Sequence, residues 1–500
     1  MNADGLLWMT LALPAACAAA CLALRDPGTV LTFVRLAGAA AAAYLGLVAC
    51  VVFKTGVLSG AGDWLVLDAL SAFHALVLSW VFGASSVYAG SYFGAELREG
   101  SLNARDIRRF GALWFGAMAS MTATLVCGNL GLMWVSMEAT TLLTAFLICI
   151  HVRPLSLEAM WKYLIVCSVG VAFAFMGTLL VGSAAQRLSL GSMDMLLWSR
   201  LRPAAAGLDP ATMKLAFIFI LVGYGTKAGL APMHSWLPDA HSQAPAPVSA
   251  LFSGFMLSAG MYCILRFIPL TEAALGGAGW SLRLLAGMGT LSILVAAVFI
   301  AFQQDAKRLL AFSSVEHIGV IALGFGLGGV GTFAALWHTL NHAAAKTLAF
   351  HSAGALGQGR GTNSLKAFAG SLRAASPWGQ GLFWGLLVLI GVAPFAVFMS
   401  ELMVLKAAAD AGAYWTLALF LLGTGIIFVG VLRHAVDAAW GEPPAMPSAA
   451  RPEPHPEVPG VTQRLLVWAP LALLLLLGVW LPDWLGTAIA RAAEVVGGAR

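Results

Sequence analysis

The sequence predicts an all-α polytopic membrane protein of about fourteen transmembrane helices, with two inverted five-helix repeats and breaks inside the seventh and twelfth helices. Three observations predict it. Of 500 residues, 60% are hydrophobic and 10% charged, at a mean hydropathy of +0.86, far from the balance of a soluble globular chain. The apolar residues fall in runs of about 18–25, long enough to cross a hydrocarbon core of about 30 Å as helices. Finally, Gly229-Leu230-Ala231-Pro232 recurs as Gly391-Val392-Ala393-Pro394, each time inside an apolar run, five spans apart. An odd number of spans reverses orientation, so spans 4–8 and 9–13 read as an inverted repeat, the usual plan of secondary transporters with broken helices near the midplane.

Apolar windows place three spans, near 5–24, 29–53 and 67–92, in an N-terminal unit of residues 1–109. The first repeat, 110–270, holds spans near 110–128, 130–150, 159–183, 213–232 and 248–270. The second, 271–437, holds spans near 280–303, 308–328, 330–357, 380–408 and 413–436. Residues 438–463 carry seven prolines between 443 and 459 and read as an exposed linker to a last span near 464–486, within a C-terminal unit of 464–500. Residues 184–212 read as a surface loop without chemistry of its own. Strand-like alternation is absent. The run Gly5–Leu24 lacks a basic n-region and is followed at once by a second span, so a retained helix is expected rather than a cleaved leader.

Arg98, Arg105, Arg108, Arg109, Arg153, Lys307, Arg308, Lys366 and Arg373 fall in loops on one side of this arrangement. The positive-inside rule makes that side cytoplasmic and puts both termini on the periplasmic side of a bacterial inner membrane. The opposite loops carry Lys54, Arg187, Arg200, Arg202 and Arg283. A net charge of +5 in so long a chain gives no case for nucleic-acid binding. The seven cysteines form no CxxC pair and read as inert packing residues. No haem, zinc or iron–sulfur ligand set is apparent.

The informative residues are the ionisable ones inside apolar spans. Lys227 precedes Ala228-Gly229-Leu230-Ala231-Pro232. An ammonium at membrane depth costs roughly 2.5–3.5 kcal/mol on insertion scales, and Pro232 removes a backbone donor where no lipid can replace it. Irregular backbone is tolerated there only where it lines a hydrated cavity, so this segment reads as part of an ion pathway. Glu138, mid-way along span 5, is a candidate proton carrier; the alternative is a neutral, hydrogen-bonded structural acid. Lys162 is the nearest cation in sequence, but at about 1.5 Å rise per residue it lies more than about 10 Å shallower.

His338, His342 and Lys346 are spaced i, i+4, i+8, one face of a helix with neighbours roughly 6 Å apart. Imidazole titrates near neutrality, which suits reversible transfer. The rivals are plain core histidines, or metal ligation by the pair, for which no third ligand is evident. Glu401 follows the second break and reads as functional, whereas Lys406 reads as snorkelling to the surface. Glu316-His317 is a further intramembrane acid and imidazole, structural or bridging the two halves. Lys307-Arg308 read as positive-inside anchors rather than relay members.

The run from Lys227 through Pro232, Trp236, Pro238 and Asp239 to Ala240, the run Asp305 to Ser314, and Asn341-His342-Ala343-Ala344-Ala345-Lys346 resemble, in order, three segments of the antiporter-like subunits of respiratory complex I and Mrp-type cation/proton antiporters. His241 to Leu251 and Ser313 to Gly319 look most like the hydrogenase-4 component F branch of group 4 [NiFe]-hydrogenase and formate hydrogenlyase-type complexes. The resemblance implies fourteen helices, two inverted five-helix repeats, broken helices 7 and 12, and a hydrated central axis. It carries a proton-relay role onto Glu138, Lys227, His338, His342, Lys346 and Glu401. A central Lys or His on helix 8 has no counterpart, since Leu251 to Ser258 offers only Ser253 and Ser258. Absence of the long lateral helix of the largest complex I member is also expected.

The reading that follows is a proton-translocating subunit of a hydrogenase or NADH:quinone oxidoreductase-like membrane complex. It performs no redox chemistry and carries no cofactor itself; partner subunits carry iron–sulfur clusters and NiFe or flavin. The alternative is an Mrp-type sodium/proton antiporter subunit, or a proton-driven subunit of an inorganic-carbon transporter, without redox partners. A passive scaffold does not account for the row of buried charges.

Overall fold

The computed structural model describes residues 2–188, 190–191, 194–373, 376–442 and 460–497. Three long helices open the chain: α1 (Ala3–Ala23), α2 (Pro27–Thr55) and α3 (Ala69–Arg98). Then come α4 (Ala104–Val126), α5 (Leu130–Ile148), α6 (Pro154–Ala185), the short surface helix α7 (Trp198–Ala204), α8 (Pro210–Ala228) and α9 (Trp236–Gln243). The next helix runs from Ala246 to Ala274 as α10 (Ala246–Leu251), a π-helical turn (Phe252–Met256) and α11 (Leu257–Ala274). The second half comprises α12 (Trp280–Ile300), α13 (Ala306–Leu327), α14 (Val330–Arg360), α15 (Pro377–Leu389), α16 (Ala396–Asp410) and α17 (Tyr414–Trp440). Beyond the Pro-rich segment, most of which (443–459) lies outside the described residues, follow α18 (Val461–Val479) and α19 (Asp483–Gly497).

Helix starts follow local chemistry. Asp26, Asp68, Asp209 and Asp305 each accept a hydrogen bond from the backbone N–H three residues on, satisfying a donor that an N-terminus leaves open. Among the described residues eleven helices are long and apolar enough to cross a membrane. The remaining expected spans fall on α4 and α14, which are less apolar, and on α15 and α16, which are each short.

One expectation is corrected. Leu58–Gly60 pairs antiparallel with Leu65–Leu67 between α2 and α3. Ala61, Gly62 and Asp63 turn the chain with φ of 51°, 65° and 68°. Strands of three residues are too short to show an alternation. The hydroxyls of Ser59 and Ser199, with Arg200 nearby, hold the Asp63 carboxyl below the usual range. The 184–212 connection is likewise more than a surface loop, because Leu197 forms a β-bridge with Asn129, the cap of α5. Asp305, the cap of α13, bridges to Ser364 in the same way.

The two breaks match in register. Gly229 and Gly391 both adopt left-handed backbone, at φ of 78° and 68°, where a side chain is disfavoured. Leu230 N–H reaches back to the Gly225 carbonyl at 2.9 Å, as Val392 N–H does to Leu387 at 3.2 Å. Met233 bonds to Leu230 as Phe395 does to Val392. This 6→1 pattern satisfies carbonyls at a helix end. Side chains from neighbouring helices complete the account: Ser292 Oγ accepts from Ala231 N–H, Trp236 Nε1 donates to the Thr226 carbonyl, and Asn341 Nδ2 donates to the Ala396 carbonyl.

The most buried helices are α10–α11 and α13, whereas α1 and α17 are largely exposed. Glycines bring α8 against α6: a Cβ on Gly223 would lie 2.7 Å from both the Ala174 Cβ and the Gly170 carbonyl oxygen. Small residues permit such close approach in membranes, and it seats Lys227 beside Tyr163.

Candidate functional site: a buried polar axis

Lys227 occupies the last turn of α8 and is fully buried. Its Nζ donates to Tyr163 Oη at 2.6 Å and to Thr141 Oγ1 at 2.9 Å, and lies 4.9 Å from the Tyr163 ring centroid. Tyr163 Oη in turn meets Thr144 Oγ1 at 2.7 Å. Glu138, one turn before Thr141 on α5, accepts from Ser168 Oγ at 2.8 Å, and its Oε2 is buried without a protein partner. Glu138 thus stands one turn along α5 from the Thr141 that holds Lys227 of α8, and the two make no ion pair among the described residues. The ammonium is held by hydroxyls, which stabilise it without fixing it in place.

The helix from Ala246 to Ala274, expected to offer serines in place of a central Lys or His, carries Ser253 in its π-helical turn. Ser253 meets Ser314 of α13 at 2.7 Å, and Ser314 donates to the Leu310 carbonyl. Lys346 Nζ donates to that same carbonyl at 2.8 Å and is fully buried. A π turn adds a residue and re-aims side chains, often at functional sites. Ser258 lies two residues beyond it, with its hydroxyl unpartnered.

His338, His342 and Lys346 are all fully buried on α14, and the contacts of this region come from other helices. His338 Nε2 lies 3.0 Å from His317 Nδ1 of α13, and His338 Nδ1 lies 2.9 Å from Ser400 Oγ of α16. The His342 ring centroid is 5.2 Å from that of His317, and both its nitrogens are buried without a protein partner. Glu401 is half-buried beside His317 and His338. Glu316 is buried with one carboxylate oxygen unpartnered.

Lys162 stands apart. It is half-exposed and pairs with Glu158 at 2.7 Å and Asp239 at 3.1 Å, while Arg308 holds the other oxygen of Asp239 at 2.7 Å. This network ties α6, α9 and α13 together just past the first break. Exposed pairs contribute about 0.2–1 kcal/mol each, so Asp239→Asn is expected to cost under about 2 kcal/mol, less at high salt. Thermal unfolding at two ionic strengths checks this. Lys307 differs from the expected anchor: it is buried and donates to the carbonyls of Ser242 and Ala244 at the end of α9. Lys406 meets Asp410 at the exposed surface.

Sequence reasoning assigned no role to Thr141, Tyr163, Ser168, Ser314 or Ser400. Thr141 sits one turn from Glu138 and Ser400 adjoins Glu401, which was the available signal. It also passed over His241, which is fully buried with both ring nitrogens unpartnered and stacks on Phe350 at 5.1 Å.

Residues 127–427 match the family described as NADH:quinone oxidoreductase/Mrp antiporter, transmembrane. A hydrogenase-4 component F homolog from Methylacidiphilum infernorum is 36% identical over 388 residues, spanning 76% of this chain and 80% of that one. NADH-quinone oxidoreductase subunit N of Desulforudis audaxviator is 31% identical over 399 residues, spanning 79% and 76%. The fold is similar to a chain in the structure of the Mrp complex from Dietzia sp., with a TM-score of 0.85 at 20% identity over 100% of this chain and 98% of the other. With its paired helix breaks and the family match over more than half its length, the chain belongs to the NADH:quinone oxidoreductase/Mrp antiporter transmembrane family.

Proposed function

We propose that this chain is a proton-translocating, antiporter-like membrane subunit of a multisubunit redox complex of the hydrogenase-4 or complex I type. Electron transfer in partner subunits, which carry the metals or flavin, drives protons along an axis from Glu138 and Lys227 through Ser253, Ser314 and Lys346 to His342, His317, His338 and Glu401. The observation that carries this reading is the pair of fully buried ammonium groups, Lys227 and Lys346, each held by neutral oxygen atoms and not by a carboxylate. A fixed buried cation is expected to be neutralised by an ion pair; one held only by neutral acceptors can lose and regain its proton.

Hydration of the axis is supported by the same atoms. His241, His342, Glu316, Glu138 and Ser258 all bury polar atoms without a protein partner, and leaving such a group dry costs about 1–3 kcal/mol. Water along the axis relieves those costs and bridges the gaps between carriers. A charge arriving near Glu138 shifts the proton affinity of Lys227, and the proton moves on. Each charge moved against 100 mV costs about 2.3 kcal/mol, within the reach of one charge rearranged about 4 Å away at moderate dielectric. In this reading residues 110–270 and 271–437 are the two inverted units, and both termini face the periplasm across the inner membrane.

The test is proton uptake by inverted membrane vesicles. Lys346→Ala is expected to lower it roughly 10²-fold, the scale of a lost proton-transfer group, with complex assembly unchanged. Unaltered uptake rules the axis out. The Mrp-like fold supports the rival sodium/proton reading, for which replacing sodium by choline stops transport; under the present reading it has no effect.

A further inference from the structure

We propose that His317, His338 and Glu401 form a binding site for a borderline-soft divalent metal ion of the zinc class, and that the bound ion closes this branch of the axis. Closure rests on the proton-route reading above; the site does not.

Three helices deliver the ligands: α13 brings His317, α14 brings His338 and α16 brings Glu401. One ligating atom from each lies within 4.8 Å of the other two. A tetrahedral ion at about 2.0–2.2 Å from nitrogen and oxygen ligands requires ligand separations of about 3.3 Å. The two imidazole nitrogens already stand at 3.0 Å, and the Glu401 carboxylate lies within 4.8 Å of both, so binding requires it to move inward by about 1.5 Å. From sequence, metal ligation could be weighed only for the i, i+4 pair His338 and His342, for which no third ligand was evident. The tertiary fold instead aims His338 at His317.

The surroundings are those of a built site. The second nitrogen of His338 is engaged by Ser400 at 2.9 Å, and Ser400 is itself held by the carbonyls of Ala396 and Val397. Such an outer contact fixes tautomer and ring orientation in metal centres. Asn341 donates to Ser400 at 3.2 Å and keeps its own buried Oδ1 without a protein partner, available to a water in the ion's fourth position. Glu401 is half-buried, and the nearby break is exposed at Ala393 and Pro394. Two imidazoles and one carboxylate favour zinc over magnesium or calcium, which prefer all-oxygen shells. Binding takes both imidazoles as neutral ligands, each keeping its one N–H on the ring nitrogen that faces away from the ion, and the ion occupies the two lone pairs between which a proton would pass, so an occupied site passes none.

The experiment uses the intact complex in nanodiscs, equilibrated with zinc chloride and washed. Metal content by mass spectrometry and zinc-edge X-ray absorption are read together. The expected result is one retained zinc per copy of this chain, in a nitrogen/oxygen shell with two imidazoles. Ser400→Ala weakens binding by about 10–100-fold, and His338→Gln or Glu401→Gln by at least as much. Equal zinc affinity in all these variants, or a sulfur shell from the cysteines, overturns the site. In vesicles, zinc is expected to stop proton uptake and a chelator to restore it, at higher zinc concentrations in Ser400→Ala. Uptake that continues with the site filled overturns closure. A two-imidazole zinc shell in a complex that moves no protons upholds the site and overturns the route.

Discussion

Lys227→Ala is expected to reduce proton translocation roughly 10²-fold or more while leaving the subunit folded and assembled. Assembly survives because the change orphans no charge: among the described residues Lys227 has no ion-pair partner, and the two hydroxyls that accept hydrogen bonds from it keep other partners. Thr141 Oγ1 donates to the Met137 carbonyl and Tyr163 Oη meets Thr144. Transport does not survive, because the proposed route passes from Glu138 to the serine pair at the π turn through Lys227, and the hydroxyls left in its place, Thr141 and Tyr163, are weak proton acceptors at neutral pH. Lys227→Arg is the sharper variant. Guanidinium keeps the positive charge but does not deprotonate in proteins. A structural or purely electrostatic cation tolerates the exchange, whereas a proton carrier does not. Vesicle uptake at wild-type rate in Lys227→Arg, with the complex intact on native gels, would falsify the assignment of Lys227 as a carrier.

Much of this arrangement was legible because the membrane makes polarity expensive. Each ionisable residue singled out in an apolar span had to meet water or a polar neighbour, and the spacing on α14 fixed which face its three groups share. The breaks were legible for a similar reason, since Gly and Pro interrupt a helix where the lipid supplies no substitute hydrogen bonds. Hydroxyl partners were not legible. Thr141, Tyr163 and Ser400 are common residues in membrane helices, and only the tertiary fold shows which of them meets an ammonium or an imidazole. The burial of Lys307 was missed for a different reason. At a helix start next to an arginine it resembles an interfacial anchor, and its target carbonyls belong to α9, more than sixty residues earlier in the chain. The hairpin between α2 and α3 was too short for any periodicity to register.

Arg266→Met is expected to destabilise the fold by about 3–5 kcal/mol, the cost of leaving a buried charge alone. Arg266 on α11 makes a two-pronged contact with Asp68, the cap of α3, at 2.5 and 2.8 Å. It also donates to Ser71 and to Tyr262 Oη, and its guanidinium lies 4.8 Å from the Trp198 ring centroid on α7. Both charged residues are buried, and four hydrogen bonds commit the guanidinium to this one arrangement, which clamps three helices. Removing the arginine leaves Asp68 charged and desolvated. Removing both charges is different, because Asp68→Asn still caps α3 and no ion remains to desolvate. The double variant Asp68→Asn/Arg266→Met is therefore expected to recover most of the loss, since a buried ion pair contributes little net stability over a well-packed neutral replacement. Thermal or denaturant unfolding of the purified complex measures both. A double variant as unstable as Arg266→Met alone would show that the guanidinium acts through its packing on Trp198 and Tyr262, and not through its charge.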